Sequence, residues 1–155
     1  ETLIQFARPY IYTTALPPAI AAATSTSLTL LSKESWRRDN LQQRIAQFRA
    51  GAKRLGLSMV DSTTPIQPVL LGDDALVLKV AAQLKQNYIL VGAIRPPTVP
   101  EGTSRLRITV SAAHSLHDVE QLLAALDDAL PLSARTRVSS ASVVHARFTA
   151  PSHAQ

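Results

Sequence analysis

Cysteine is absent from the 155 residues, which excludes disulfides and thiolate metal sites together. That fits a reducing compartment, and the cytoplasm is the expected location. Aromatic residues are scarce, at 5%. Sequence-tolerant binding of single-stranded nucleic acid rests on stacking faces, so the net charge of +5 has no such platform beside it. Arg37, Arg38, Arg44, Arg49, Lys53 and Arg54 fall instead along one expected helix, the pattern of a solvated face. Long apolar runs are missing as well: the longest, residues 15–23, holds two prolines and is too short to span a bilayer. Residues 1–14 lack the basic, apolar and small-residue layout of a signal peptide. The expected protein therefore binds neither nucleic acid nor membrane. Because the chain opens on Glu1 rather than Met, it is expected to be a piece of something longer.

What is present is 46% hydrophobic residues, enough for one core, with readable punctuation between elements. Residues 1–12 read as extended. Pro17 and Pro18 suit the start of a helix over 18–33, although Thr24-Ser25-Thr26-Ser27 is poor helix material. Over 34–55, Leu41, Ile45, Phe48, Ala52 and Leu55 recur at three- and four-residue steps, predicting an amphipathic helix with Gly56 past its C-terminus. A short strand at 57–60 and a turn at 61–65 follow. The next strand, 66–71, contains Pro68 and so belongs at a sheet edge or bulge. Gly72-Asp73-Asp74 caps a helix over 75–86. Residues 88–94 are nearly all apolar, as in a strand covered on both faces. After a proline-rich loop comes a strand over 105–110. The pattern Ser115-Leu116-His117-Asp118 then opens a helix as a capping box, and Pro131 stops it. Past Leu132 the composition is that of a mobile tail. The order helix, helix, ββαββα predicts an α+β fold, with helices on one face of a small, mostly antiparallel sheet.

The proline-rich loop and its strand carry the chemistry. Three prolines and a glycine between Arg95 and Ser104 dictate a shaped loop. In the following strand Arg105, Arg107 and Thr109 share one face, and Leu106, Ile108 and Val110 the other. Two guanidiniums on a strand face mean either open solvent or an anionic ligand. The run Ala93-Ile94-Arg95-Pro96-Pro97-Thr98-Val99-Pro100 resembles the C-terminal signature of the α-oxoamine synthases, a family of pyridoxal-phosphate enzymes. Upstream, Tyr12-Thr13-Thr14-Ala15-Leu16-Pro17-Pro18 resembles the Thr-Thr-x-Leu-Pro-Pro segment of the same family. The Arg-Pro-Pro-Thr run is most similar to the branch that joins L-alanine to a pimeloyl thioester on the way to biotin. The resemblance covers roughly residues 1–131.

That resemblance implies the small C-terminal domain of a fold-type-I pyridoxal-phosphate transferase. It divides the chain into the end of the large domain or a linker (1–15), the small domain (16–131) and a flexible tail (132–155). It gives Arg107 the carboxylate of the amino-acid substrate, a task suited to a planar, bidentate cation. It gives Thr98 a contact with bound substrate, and leaves Arg95 as either a substrate contact or a holder of the loop. Arg105 becomes a structural or rim residue. Thr13 and Thr14 are assigned to the cofactor phosphate across a homodimer, just ahead of an electropositive helix start. The cofactor implied is pyridoxal 5′-phosphate, and the substrates are L-alanine and a pimeloyl thioester on coenzyme A or a carrier protein. The family's Schiff-base lysine lies upstream of the Thr-Thr corner, and Lys33, Lys53, Lys79 and Lys85 do not match its setting. No catalytic residue is therefore expected in this piece, which should be inactive alone.

Other readings of the same residues remain open. A sister synthase of the glycine C-acetyltransferase or 5-aminolevulinate synthase type would share the later proline, glycine and arginine. A non-catalytic ββαββα module could sense a small carboxylate through Arg105 and Arg107. A nucleic-acid binder using the basic helix would show steep salt dependence. His114 and His117 flank a helix start with no third ligand nearby, so they read as capping or surface residues rather than a metal site.

Overall fold

The computed structural model describes residues 1–135. They fall into two compact units, 1–39 and the part from Asn40 onward.

The first unit is helical. Helix α1 spans Thr2–Phe6, α2 spans Arg8–Ile11 and α3 spans Pro18–Lys33. The extended structure expected over residues 1–12 is thus replaced by two single-turn helices. Pro9 sits in the first turn of α2, where its fixed φ and missing N–H are tolerated. Four or five residues are too few for an apolar period to separate a helical turn from a strand. Helix α3 begins at Pro18 as expected. It accommodates its hydroxyl residues by bonding them back one turn: Thr24 Oγ1 donates to the Ile20 carbonyl at 2.8 Å and Ser27 Oγ to Ala23 at 2.9 Å. None of the residues of α1, α2 or α3 is buried.

The second unit holds the core. Helix α4 (Trp36–Arg54) leads to strand β1 (Ile66–Gly72), helix α5 (Asp74–Gln86), strand β2 (Gly92–Ile94), strand β3 (Ser104–Thr109), helix α6 (Leu116–Ala129) and the short α7 (Leu132–Arg135). The sheet is antiparallel in the order β1-β3-β2. Only an isolated bridge, Met59 to Val69, stands where the strand at 57–60 was expected. Phe48 and Ala52 of α4, Val77, Val80 and Leu84 of α5, and Val119, Leu123 and Leu126 of α6 meet Val69, Leu106, Ile108 and Val110 in one core. The α+β class and the layering of helices on a small antiparallel sheet are as expected.

Local signals set most boundaries. Gly56, at φ 68, closes α4: its N–H bonds the Lys53 carbonyl and the Leu57 N–H bonds Ala52, the paired bonds of a Schellman motif. Asp73 accepts from the Leu76 N–H at the start of α5. Ser115 and Asp118 form the reciprocal capping box of α6. Pro68 lies on the edge strand β1, opposite Arg107.

Two expectations are corrected here. The stretch 88–94 is not a strand covered on both faces: only Gly92–Ile94 pairs, and Tyr88 and Leu90 are 99% and 86% exposed. The cause is the end of α5. Tyr88 takes φ 60 and its N–H bonds Lys85 while Ile89 bonds Leu84, the same motif that Gly56 completes at α4. The chain leaves that turn at the edge of the sheet before it can pair. The tail expected from 132 begins instead as α7. Its Arg135 guanidinium donates to the Leu130 carbonyl and contacts the Asp127 carboxylate. The rest of that expected tail, 136–155, lies outside the described residues.

Candidate functional site

The proline-rich loop is built from its own backbone. The Pro96–Pro97 bond is cis. The Thr98 N–H bonds the Arg95 carbonyl at 3.1 Å, and the Thr103 N–H and hydroxyl both donate to Pro100. Gly102 takes φ 71, a conformation open to glycine at little cost. The loop ends on Ser104, which is fully buried and donates its hydroxyl to the Asp74 carboxylate in the first turn of α5. This buried contact ties the exit of the loop, and hence the start of β3, to a rigid helix.

Strand β3 then alternates as the sequence predicts. Leu106, Ile108 and Val110 are buried under the helices, while Arg107 and Thr109 are exposed on the opposite face. That open face places Pro68 on one side of Arg107 and Gly92 on the other. The two arginines on it differ. Arg105 is held by a bond from its Nε to the Thr103 carbonyl at 3.0 Å. Among the described residues no hydrogen bond or ion pair engages the Arg107 guanidinium, which lies across Gly92. A Cβ built on Gly92 would stand 3.4 Å from both Cβ and Nε of Arg107 and 3.7 Å from Nη2.

Arg95 and Thr98 are exposed, and neither side chain is bonded within the described residues. Arg95 follows directly on β2, three residues beyond the one that pairs with Arg107, or about 10 Å along an extended chain. Arg95 and Thr98 thus lie in the loop that joins β2 to β3, and Arg107 on β3 itself. Thr13 and Thr14 lie in the first unit, exposed, between α2 and α3. Their hydroxyls carry no bond among the described residues. The four lysines, Lys33, Lys53, Lys79 and Lys85, are exposed on α3, α4 and α5.

His114 Nδ1 accepts from the Ser111 N–H at 3.0 Å and so helps close the turn before α6. Hydrogen bonds from the Ser115 backbone and side chain, reinforced by His114 and His117, hold the Asp118 carboxyl below its ordinary value. Among the described residues no group of three His, Asp or Glu side chains could hold a metal. No described helix is long and apolar enough to cross a membrane. A groove of about 380 Å³ between residues 87–91 and α6 is lined by Tyr88, Leu90, Thr109, His114, Asp118 and Leu122 among others; Arg95, Thr98 and Arg107 are not in its walls. Sequence reasoning missed Gly92 and the Ser104–Asp74 contact. A glycine inside an apolar strand was the available signal for the first; nothing local marks the second.

Known proteins resemble this chain closely. It is 63% identical over 131 residues to 8-amino-7-oxononanoate synthase of Ectopseudomonas mendocina, covering 84% of this chain and 34% of that protein. The chain thus spans about a third of the length of the curated relatives it matches. A solved 8-amino-7-oxononanoate synthase from Francisella tularensis superposes with a TM-score of 0.70 at 33% identity, over 81% of this chain and 37% of that one. Serine palmitoyltransferase from S. paucimobilis, solved with a bound PLP–myriocin aldimine, gives 0.73 at 27% identity, over 83% and 33%. The fold is that of fold-type-I pyridoxal-phosphate transferases. The family model for aminotransferase class I and II matches residues 1–126, and this chain belongs to that family.

Proposed function

We propose that this chain is the C-terminal part of an 8-amino-7-oxononanoate synthase, which condenses L-alanine with a pimeloyl thioester, releasing carbon dioxide, in biotin synthesis in the cytoplasm. Residues 1–15 then end the large domain or form a linker and 16–131 form the small domain, against whose last long helix α7 is held through Arg135. Pyridoxal phosphate, when bound by the full-length homodimer, supplies an electron sink.

This chain's residues bind and orient. Arg107 takes the amino-acid carboxylate through two parallel, charge-assisted bonds, which fixes the direction of the bond that must break. Thr98 contacts the acyl substrate. Arg95, whose guanidinium holds nothing in the loop, faces substrate as well. Thr13 and Thr14 offer hydroxyls to the cofactor phosphate of a partner subunit. The covalent anchor comes from a part of the protein outside this chain. One observation carries most of this: Arg107 is an exposed cation on a sheet face with no partner among the described residues, on the strand that follows the loop holding Thr98.

The test uses the intact, longer protein with pyridoxal phosphate. L-alanine is added while the cofactor's visible absorbance is followed, and pimeloyl-CoA is then supplied and carbon dioxide release measured. A saturable alanine response that weakens about tenfold to hundredfold in Arg107→Ala is expected, from the strength of bonds to charged groups. A full-length chain without a cofactor band overturns the assignment. Turnover with acetyl-CoA or succinyl-CoA in place of pimeloyl-CoA assigns it to a sister synthase. The open guanidinium also favours a second reading, a carboxylate-binding module without catalysis; that reading requires the 155-residue chain to bind L-alanine with no cofactor present.

A further inference from the structure

Gly92 is an anomaly within β2. Glycine weakens a strand through lost backbone entropy and a missing side chain, and its presence inside one marks close approach by another group. Here the approaching group is identified. Gly92 pairs with Arg107 across the sheet, and the arginine side chain lies over its α-carbon. At the next pair along, Ile94 stands opposite Arg105, and that arginine is held by the Thr103 carbonyl instead. The same face therefore carries one arginine seated on bare backbone and one tied to the loop just ahead of its strand.

We infer that Gly92 is a positioning residue for Arg107: its missing side chain sets the height and direction of the guanidinium above the sheet, and so the affinity for the amino-acid carboxylate. This rests on the carboxylate role of Arg107 proposed above. A β-carbon at 92 comes to 3.4 Å from Arg107 Cβ and Nε, an ordinary contact that leaves the side chain in place. The γ atoms of a branched residue extend about 1.5 Å further, and in most staggered rotamers one of them faces the arginine. The guanidinium must then rise or swing aside. Because Arg107 has no hydrogen bond among the described residues to hold it against that push, the displacement goes into the binding geometry.

The experiment is the series Gly92→Ala, Gly92→Thr and Gly92→Val in the full-length holoenzyme, read by the dissociation constant for L-alanine and by thermal midpoint. Affinity is expected to fall in the order Ala, Thr, Val, reaching about tenfold for Val, in line with the sensitivity of oriented contacts to small misplacements. Stability should hold or rise for Thr and Val, since branched residues favour strands. A purely structural glycine predicts no change in alanine affinity, and that result overturns the inference. The combination with Arg107→Ala separates the two levels. If Gly92→Val has no effect in the Arg107→Ala background, the two positions act as a pair; an undiminished effect there overturns the inference. If Arg107→Ala itself leaves alanine affinity unchanged, the carboxylate role fails first. Should Gly92→Val not fold, Gly92→Thr is judged by the same criteria.

Discussion

The two faces of β3 are built from alternate residues of the same six-residue strand, yet they answer to different constraints. On one, Leu106 and Ile108 are buried in the apolar core, with the buried Gln67 paired across from Ile108. On the other, Arg105 and Arg107 pair with Ile94 and Gly92 across the sheet, and Arg107 is exposed. The buried face is continuous with the rest of the core, so its loss should be felt by the whole unit. The open face contributes little to folding, which leaves it free to carry charge. Even there the two arginines diverge, because the residue across the sheet and the nearest carbonyl decide whether a guanidinium is occupied.

The largest expected effect lies on the covered face. Leu106→Ala should destabilise the second unit by about 2–5 kcal/mol, as for other fully buried leucines, and denaturant unfolding measures it. Next comes Arg107→Ala, which should change unfolding by less than about 0.5 kcal/mol while weakening alanine binding about tenfold to hundredfold in the full-length protein. If it instead unfolds the chain as Leu106→Ala does, the division between the faces collapses. Outside both faces, Tyr88→Gly should stabilise by about 1 kcal/mol, because a fully exposed tyrosine there is held in the left-handed region. A higher thermal midpoint with unchanged alanine affinity is the expected result. The smallest effect concerns Asp118. Its folded pKa lies below the unfolded value, so its contribution is complete above the unfolded pKa and fades as pH falls through the folded one. A carboxyl titration by NMR, compared with Asp118 in a peptide, should show that depression, and Ser115→Ala should reduce it.

Helix ends were legible because their signals are local. Pro18, Gly56, Asp73 and the Ser115–Asp118 pair each act within one turn, and each stands at a helix end as read. The alternation of β3 was legible for the same reason. Residues 1–12 were misread because two short helices and an extended segment share the same apolar content. Residues 88–94 were misread because their composition is that of a buried strand while the turn at Tyr88 throws them to the edge. The arginines show where sequence stops. The resemblance assigns the two different roles, but the residues Arg105-Leu106-Arg107 alone do not say which guanidinium is held: that is decided by a carbonyl at Thr103 and a bare α-carbon at Gly92.

By itself, then, the sequence determined the α+β class, the caps, the edge position of Pro68 and the family to which the two signature segments point. These follow from backbone preferences and side-chain periods acting over a few residues. Only the tertiary structure decided that Ser104 is anchored on Asp74, that Arg105 is held by Thr103 and that Arg107 lies across Gly92. Each of those depends on strand register or helix packing, which brings distant residues within a few ångströms and leaves no trace in the order of residues around any one of them.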